Sequence, residues 1–173
     1  MNLGPTMDDT SEEEVTQIID DLVAHQSQTL ADRPVTEVLR SIDQTISRWL
    51  DPTSPERKEA EHRLPSTTGM SVQMLRHVLP LIFCEYTGKK LEQLCALELG
   101  TKDALDSFVL TASGHRKAVG PSLIINILAG NIPGAGLDSV LYSLIVKSAT
   151  LVKASSSENI LPEIFIRSLQ TVD

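Results

Sequence analysis

Apolar residues recur at helical spacing through the first hundred positions of the chain. The first stripe follows Ser11, and Glu14 three residues later completes a capping-box pattern, so we predict a helix over residues 12–28. The second stripe follows Pro34 and ends at Asp51-Pro52, because a proline disfavours helix at the residue before it. The two stripes consist of Val15, Ile18, Ile19, Leu22 and Val23, and of Val35, Val38, Leu39, Ile42, Ile46, Trp49 and Leu50.

Three shorter segments of the same region also have helical patterns. We predict a short helix that begins at Ser54-Pro55-Glu56. A second follows a cap at Ser71 and runs from Val72 to about Tyr86, and a third runs from Lys89 to Leu99 and ends before Gly100. Pro80 should kink the second of these helices.

The pattern shortens after Leu105 and becomes typical of strands. The residues on either side of Ala112-Ser113-Gly114 predict a β-hairpin. Ser122–Leu128 is almost wholly apolar, so we predict a strand buried on both faces, as in parallel sheets. A helix around Leu137–Ile145, a strand at Thr150–Lys153 and a final helix from Ile160 to about Val172 are expected to follow.

Together these elements predict an α/β protein in four segments. Residues 1–10 have no periodicity and are expected to be a disordered arm. Residues 11–104 would be a helical region, 105–120 the hairpin and connection, and 121–173 a βαβα unit. A right-handed crossover makes such a unit half of a doubly wound sheet, which binds ligands beyond the carboxyl ends of its strands.

The charge of the chain is concentrated near its start. Of a net charge of −8, residues 1–33 carry −7, and the remaining 140 residues carry −1. We expect the acidic part to be a mobile, solvated arm, although an arm that docks onto a basic partner is also possible. The acidic balance argues against a protein that binds nucleic acid by neutralising phosphates.

The two cysteines and four histidines show no metal-binding pattern. Cys84 and Cys95 are eleven residues apart, and no histidine has a second histidine or a cysteine three or four residues away, so we expect no metal site and buried, reduced thiols. No secretory signal and no window of about 18 apolar residues is present. The sequence therefore predicts a cytoplasmic protein without a membrane span.

The segments that follow the two predicted parallel strands are candidates for a ligand site. Ala129–Gly136 and Ala154–Glu158 contain small and polar residues that could meet a nucleotide. The run Gly-Asn-Ile-Pro-Gly-Ala-Gly fits neither the Gly-x-Gly-x-x-Gly fingerprint nor a Walker A loop. From spacing alone, a tight turn that merely needs glycine is an equal alternative.

Two stretches of the chain resemble a known family. They are Leu123–Gly134, which contains Ala-Gly-Asn-Ile-Pro-Gly, and Leu144–Ser156, which contains Lys-Ser-Ala-Thr-Leu-Val-Lys. Both look like the start of the nucleotide-binding domain of the aldehyde dehydrogenase superfamily, and above all like its acyl-CoA reductases related to the fatty acyl-CoA reductase of bacterial luminescence. The resemblance is strong over residues 116–173 and weak over the helical region. It implies an incomplete dinucleotide-binding domain of the aldehyde dehydrogenase type.

The resemblance also implies roles for single residues. Asn131 stands where the family asparagine donates its amide to the developing oxyanion. Ser156 replaces the acid that usually holds the ribose 2′-hydroxyl, which makes NADPH the expected cofactor. An exposed lysine at a strand end and a helix cap at 155–157 are the alternatives to cofactor binding. The implied cofactor-binding residues are Ile127, Leu128, Ala129, Gly130, Lys153, Ser155 and Ser156.

The expected function is that of the N-terminal portion of an NADPH-dependent acyl-CoA reductase. Such an enzyme attacks an acyl thioester with a cysteine, releases coenzyme A and reduces the acyl-enzyme to an aldehyde. Neither Cys84 nor Cys95 stands at the nucleophile's place, so we expect these 173 residues alone to be inactive and to need the rest of the enzyme. An acyl-CoA substrate and a homo-oligomer are the other expected partners. The alternative is a non-catalytic helical interaction protein or a regulatory remnant of such an enzyme.

Overall fold

The computed structural model describes residues 11–130 and 132–172, which contain both helices and strands. The helices are α1 (Glu12–Thr29), α2 (Val35–Leu50), α3 (Pro55–Arg63), α4 (Pro65–Thr68), α5 (Val72–Phe83), α6 (Gly88–Leu99), α7 (Leu137–Ile145) and α8 (Ile160–Val172). The strands are β1 (Val109–Thr111), β2 (Gly114–Arg116), β3 (Leu123–Ile127) and β4 (Ala149–Lys153). Short 3-10 turns occupy Cys84–Tyr86 and Lys102–Leu105. The predicted disorder of residues 1–10 concerns residues outside the described ranges.

The acidic segment forms a docked helix rather than a mobile arm from Glu12 onwards. The predicted capping box begins α1, because the Ser11 hydroxyl accepts a hydrogen bond from the Glu14 amide and the Glu14 carboxylate accepts one from the Ser11 amide. α1 packs against β4 and β3. The Gln26 side-chain amide also donates to the carbonyl oxygen of Lys147 at 2.7 Å. The acidic side chains of α1 are exposed, as expected for a solvated segment, but the expectation of a free arm is wrong for this helix because its partly buried apolar stripe contacts the sheet.

An aromatic stack lies at the centre of the hydrophobic core. The ring of Trp49 on α2 lies 4.4 Å from that of Phe83 on α5, and the Phe83 ring lies 5.6 Å from that of Phe165 on α8. The Trp49 indole N–H donates to the Ser168 hydroxyl at 2.9 Å, so this buried donor has a partner. The same core includes Leu141 of α7, which joins the helical region to the βα unit in one cluster.

Ion pairs join α3 to α8 at the surface of this core. Glu59 on α3 pairs with Arg63 on the same helix at 2.7 Å and with Arg167 on α8. Arg63 pairs in turn with Glu163 on α8 at 3.0 Å. These side chains are about one-third exposed, so the network orients the two helices more than it stabilises them.

The strands form two separate pairs within the described ranges. β1 and β2 make the predicted antiparallel hairpin, in which Leu110 lies opposite His115. β3 and β4 make the predicted parallel pair, connected through α7, with Ile127 opposite Lys153. The chain is thus a mixed helix-and-strand protein with the predicted order of elements.

The expectation that β3 is buried on both faces is wrong. Asn126 is buried, and its side chain contacts α7, but Ile125 and Ile127 on the other face are 54% and 75% exposed. The sheet has only two strands in the described ranges, and the elements packed on it leave this face open near the carboxyl end of β3.

The predicted helix after Ser71 ends earlier than expected. α5 contains Pro80 and stops at Phe83, and the 3-10 turn at Cys84–Tyr86 replaces its last turn. Cys84 is consequently only half-buried, which corrects the expectation of two buried thiols, whereas Cys95 on α6 is buried as expected.

Candidate functional site

The carboxyl ends of β3 and β4 lie side by side at one edge of the parallel pair. Ile127 is opposite Lys153, and the Leu128 amide donates to the Lys153 carbonyl oxygen at 2.9 Å. The segments that follow, 128–136 and 154–159, therefore start from the same edge, as the parallel arrangement predicts.

The two segments touch through Gly130 and two serines. The Ser157 hydroxyl donates to the Gly130 carbonyl oxygen at 3.3 Å. The Ser157 amide donates to the Ser155 hydroxyl at 3.2 Å, and the two hydroxyl oxygens lie 2.9 Å apart. A Cβ atom at position 130 would overlap both hydroxyls, so only glycine permits this approach.

The other glycines of the first segment serve the turn into α7. Gly134 and Gly136 have φ angles of 80° and 87°, in the left-handed region that residues with a Cβ rarely adopt. The Leu128 side chain packs against Gly136 and is buried. The tight-turn alternative thus accounts for Gly134 and Gly136, whereas Gly130 is explained by close contact.

The structure places most of the residues implied by the resemblance at this edge. Ile127, Ala129, Lys153 and Ser156 are exposed, Gly130 and Ser155 are half-buried, and Leu128 is buried. Leu128 is therefore largely closed to a ligand. Asn131 lies outside the described residues.

Glu158 is a site feature that sequence reasoning missed. Its side chain is only 3% exposed, and its carboxylate accepts a hydrogen bond from the Leu161 amide at 2.9 Å, at the start of α8. An acid three residues before a helical amide is a capping pattern, which was the available signal. The acid of the second segment thus faces the helix instead of the solvent.

A second missed residue is Asn126, the polar member of the apolar strand. Its side-chain amide donates to the Ser143 hydroxyl of α7 at 3.2 Å, and that hydroxyl donates to the Ser139 carbonyl oxygen at 2.7 Å. The buried hydrogen bond of Asn126 and the partly buried one that continues from it tie β3 to α7.

Lys147 anchors the other end of β4. It has a φ angle of 62°, is 8% exposed, and pairs through its ammonium with Asp106 at 2.6 Å. Asp106 also accepts hydrogen bonds from the Val35 amide at 3.0 and 3.2 Å, at the start of α2. Lys147 therefore connects the parallel strands to the helical region.

The described ranges offer no metal centre, and one of their two thiols is disfavoured as a nucleophile. They contain no group of three or more His, Cys, Asp or Glu side chains that could hold a metal ion. Burial raises the pKa of the Cys95 thiol, which disfavours the reactive thiolate. Among the helices at 11–130 and 132–172, none is long and apolar enough to cross a membrane.

Comparison with known proteins identifies one family. The family model described as acyl-CoA reductase (LuxC) matches residues 30–173. A long-chain acyl-protein thioester reductase of Photobacterium phosphoreum is 22% identical over 173 residues, covering 91% of this chain and 36% of its own length.

Two further relatives match a shorter stretch. The long-chain acyl-protein thioester reductases of Aliivibrio fischeri and Photorhabdus laumondii are 25% and 26% identical over 114 residues. Each alignment covers 64% of this chain and 23% of the relative. The chain thus spans about a quarter to a third of the length of the curated relatives it matches.

Proposed function

Because this chain belongs to the acyl-CoA reductase (LuxC) family, we propose that it forms the first part of a nucleotide-binding domain of the aldehyde dehydrogenase type. Its ligand is NADPH, which binds at the carboxyl edge of β3 and β4. Residues 121–173 carry this site, 11–104 support it, and 105–120 connect the two.

We choose NADPH over NADH because of the orientation of the Glu158 side chain. Lys153 and Ser156 are exposed at the edge and offer an ammonium and a hydroxyl. Glu158, the acid of the same segment, is buried as the cap of α8. A phosphate on the ribose 2′-oxygen therefore meets a cation and a donor without a facing carboxylate.

The glycine segment fits the other end of the nucleotide. Ile127 and Ala129 are exposed at the end of β3, so a flat ring can lie against this strand end. NADPH supplies the hydride for reduction of an acyl group there. The residues of this chain bind the nucleotide and hold its position.

We extend the proposal to the chemistry of the whole reductase. Asn131 donates its side-chain amide to the oxyanion that forms when a thioester is attacked. The attacking cysteine of the whole reductase is not one of these 173 residues. Burial disfavours the Cys95 thiolate, and Cys84 precedes the nucleotide-binding unit. The substrate is an acyl thioester such as acyl-CoA, and the product is an aldehyde.

Calorimetric titration of the chain with nucleotides tests this function. We expect NADPH to bind more tightly than NADH, and 2′,5′-ADP more tightly than 5′-AMP, because each preferred ligand adds the same phosphate. Lys58→Ala, which removes an exposed lysine on α3, is the matched control and should keep the parent affinities. A chain that binds none of the four nucleotides would favour the alternative of a non-catalytic interaction protein.

A further inference from the structure

We propose that Ser155 and Ser157 are positioning residues that clasp Gly130 and set the width of the nucleotide cleft. This inference rests on the proposed function of the same edge. It divides the three consecutive serines by role: Ser156 meets the ligand, while its two neighbours hold the opposite segment in place.

The three serines differ in their hydrogen bonds, and the differences match the two proposed roles. The Ser157 hydroxyl bonds to the Gly130 carbonyl oxygen across 27 residues of sequence. The Ser155 hydroxyl accepts from the Ser157 amide and lies against the Ser157 hydroxyl, so it orients that group. Ser156 and Ser157 are both exposed, but the Ser156 hydroxyl makes no hydrogen bond to the described residues.

The packing at Gly130 makes the contact specific. The two hydroxyls occupy the space that a Cβ atom at this position would need. Below the contact, the hydrogen bond from the Leu128 amide to the Lys153 carbonyl oxygen is the last backbone bond between the strand ends among the residues that the structure describes. The clasp thus continues the connection between the two segments beyond the sheet itself.

The clasp acts on the two halves of the ligand unequally. In the proposed complex the 154–158 segment holds the adenosine phosphate, and the 129–130 segment receives the nicotinamide half. A ligand that spans both segments gains from their fixed separation, because the cleft does not have to be ordered on binding. A ligand that contacts only the second segment gains little.

Three variants test the clasp, beginning with the protein alone. Ser157→Ala removes the donor to Gly130, Ser157→Thr retains a hydroxyl, and Ser156→Ala removes an exposed hydroxyl as the matched control. Amide hydrogen exchange of residues 128–136 should be faster in Ser157→Ala than in the parent. It should be unchanged in the other two variants.

Nucleotide titration supplies the second readout. Ser157→Ala should weaken NADPH about five- to tenfold, as expected for one lost hydrogen bond, and 2′,5′-ADP by less than about twofold. Ser157→Thr should restore NADPH affinity. Ser156→Ala should weaken both ligands by the same factor, because it acts on the shared phosphate.

The outcomes separate this inference from the function on which it rests. A parent chain that binds neither ligand contradicts both proposals. A parent that binds both ligands, with Ser157→Ala unchanged in affinity or in hydrogen exchange, contradicts the clasp alone. Equal weakening of the two ligands by Ser157→Ala also contradicts it, since that result assigns Ser157 to the phosphate.

Discussion

The ammonium of Lys147, two residues before β4, lies 2.6 Å from the carboxylate of Asp106, which directly follows the 3-10 turn at Lys102–Leu105. The same carboxylate accepts hydrogen bonds from the Val35 amide, where α2 begins without a capping side chain of its own. One acid therefore satisfies both a buried cation and a helix start.

Asp106→Ala should destabilise the protein by about 2–3 kcal/mol, because it leaves Lys147 unpaired and the start of α2 uncapped. Lys147→Met should cost less, since Asp106 still caps α2. Asp103→Ala, at an exposed position nearby, should stay within about 0.5 kcal/mol of the parent. Urea unfolding measures all three. Equal stability of Asp106→Ala and Asp103→Ala would exclude this role.

Stability should depend on pH through Glu59. The hydrogen bond from Arg167, followed by that from Arg63, lowers the pKa of the Glu59 carboxyl in the folded state. A lowered pKa stabilises the fold above the unfolded pKa, and this contribution is lost as the pH falls through the folded pKa. The difference in unfolding free energy between the parent and Glu59→Gln should therefore be fully present above about pH 5 and should shrink as the pH falls through the lowered pKa of Glu59. Glu13→Gln, exposed on α1, is the control, and a difference that stays constant with pH would contradict the prediction.

The two thiols should react at different rates. Burial raises the pKa of Cys95, whereas Cys84 is half-buried in a 3-10 turn. Iodoacetamide should modify Cys84 at least about tenfold faster than Cys95 in the folded chain, and the two should converge in urea. Mass spectrometry follows both sites, with Cys84→Ser reporting Cys95 alone. Equal rates in the folded chain would show that Cys95 is accessible.

Cofactor preference should respond to the residues at the end of β4. Lys153→Ala should weaken NADPH binding by about 1–3 kcal/mol, the range of a charge-assisted hydrogen bond. Ser156→Glu should shift preference towards NADH, because a carboxylate would then face the 2′-phosphate. Titration of each variant with both cofactors checks this. Unchanged affinities in both variants would place the nucleotide elsewhere.

Asn131→Ala should lower the rate of the chemical step about 10²- to 10³-fold, because an oxyanion would lose a fixed donor. Cofactor affinity should change little. Single-turnover reduction in a complete reductase that contains this chain measures the rate, and thermal unfolding measures stability in parallel. If Asn131 only caps a helix, the variant should lose about 1 kcal/mol of stability and keep most of its rate.

Local signals in the sequence predicted the elements well. The capping box at Ser11, the stop at Asp51 and the glycine after Leu99 all act within one turn of helix, and the structure has helix ends at each of them. The hairpin and the parallel pair were also predicted, since strand periodicity and turn residues are local as well.

Burial could not be predicted in the same way. The sequence predicts Ile125 and Ile127 to be core residues, but they are exposed. It also predicts the acidic segment to be a mobile arm, but α1 packs against the sheet. Cys84 read as buried, yet the early end of α5 leaves it partly accessible. Burial depends on which other element covers a surface, and hydrophobic pattern alone does not contain that information.

By itself, the sequence determined the order of elements, the family and the residue types at the two strand ends. Only the tertiary structure decided how those residues meet. The parallel register brings Gly130 against Ser155 and Ser157, and the start of α8 takes up the Glu158 carboxylate. Both relationships follow from contacts formed during packing. Position 130 needs glycine because two hydroxyls occupy the space that a side chain would take, and the Glu158 carboxylate turns inward because an amide at the start of α8 needs an acceptor.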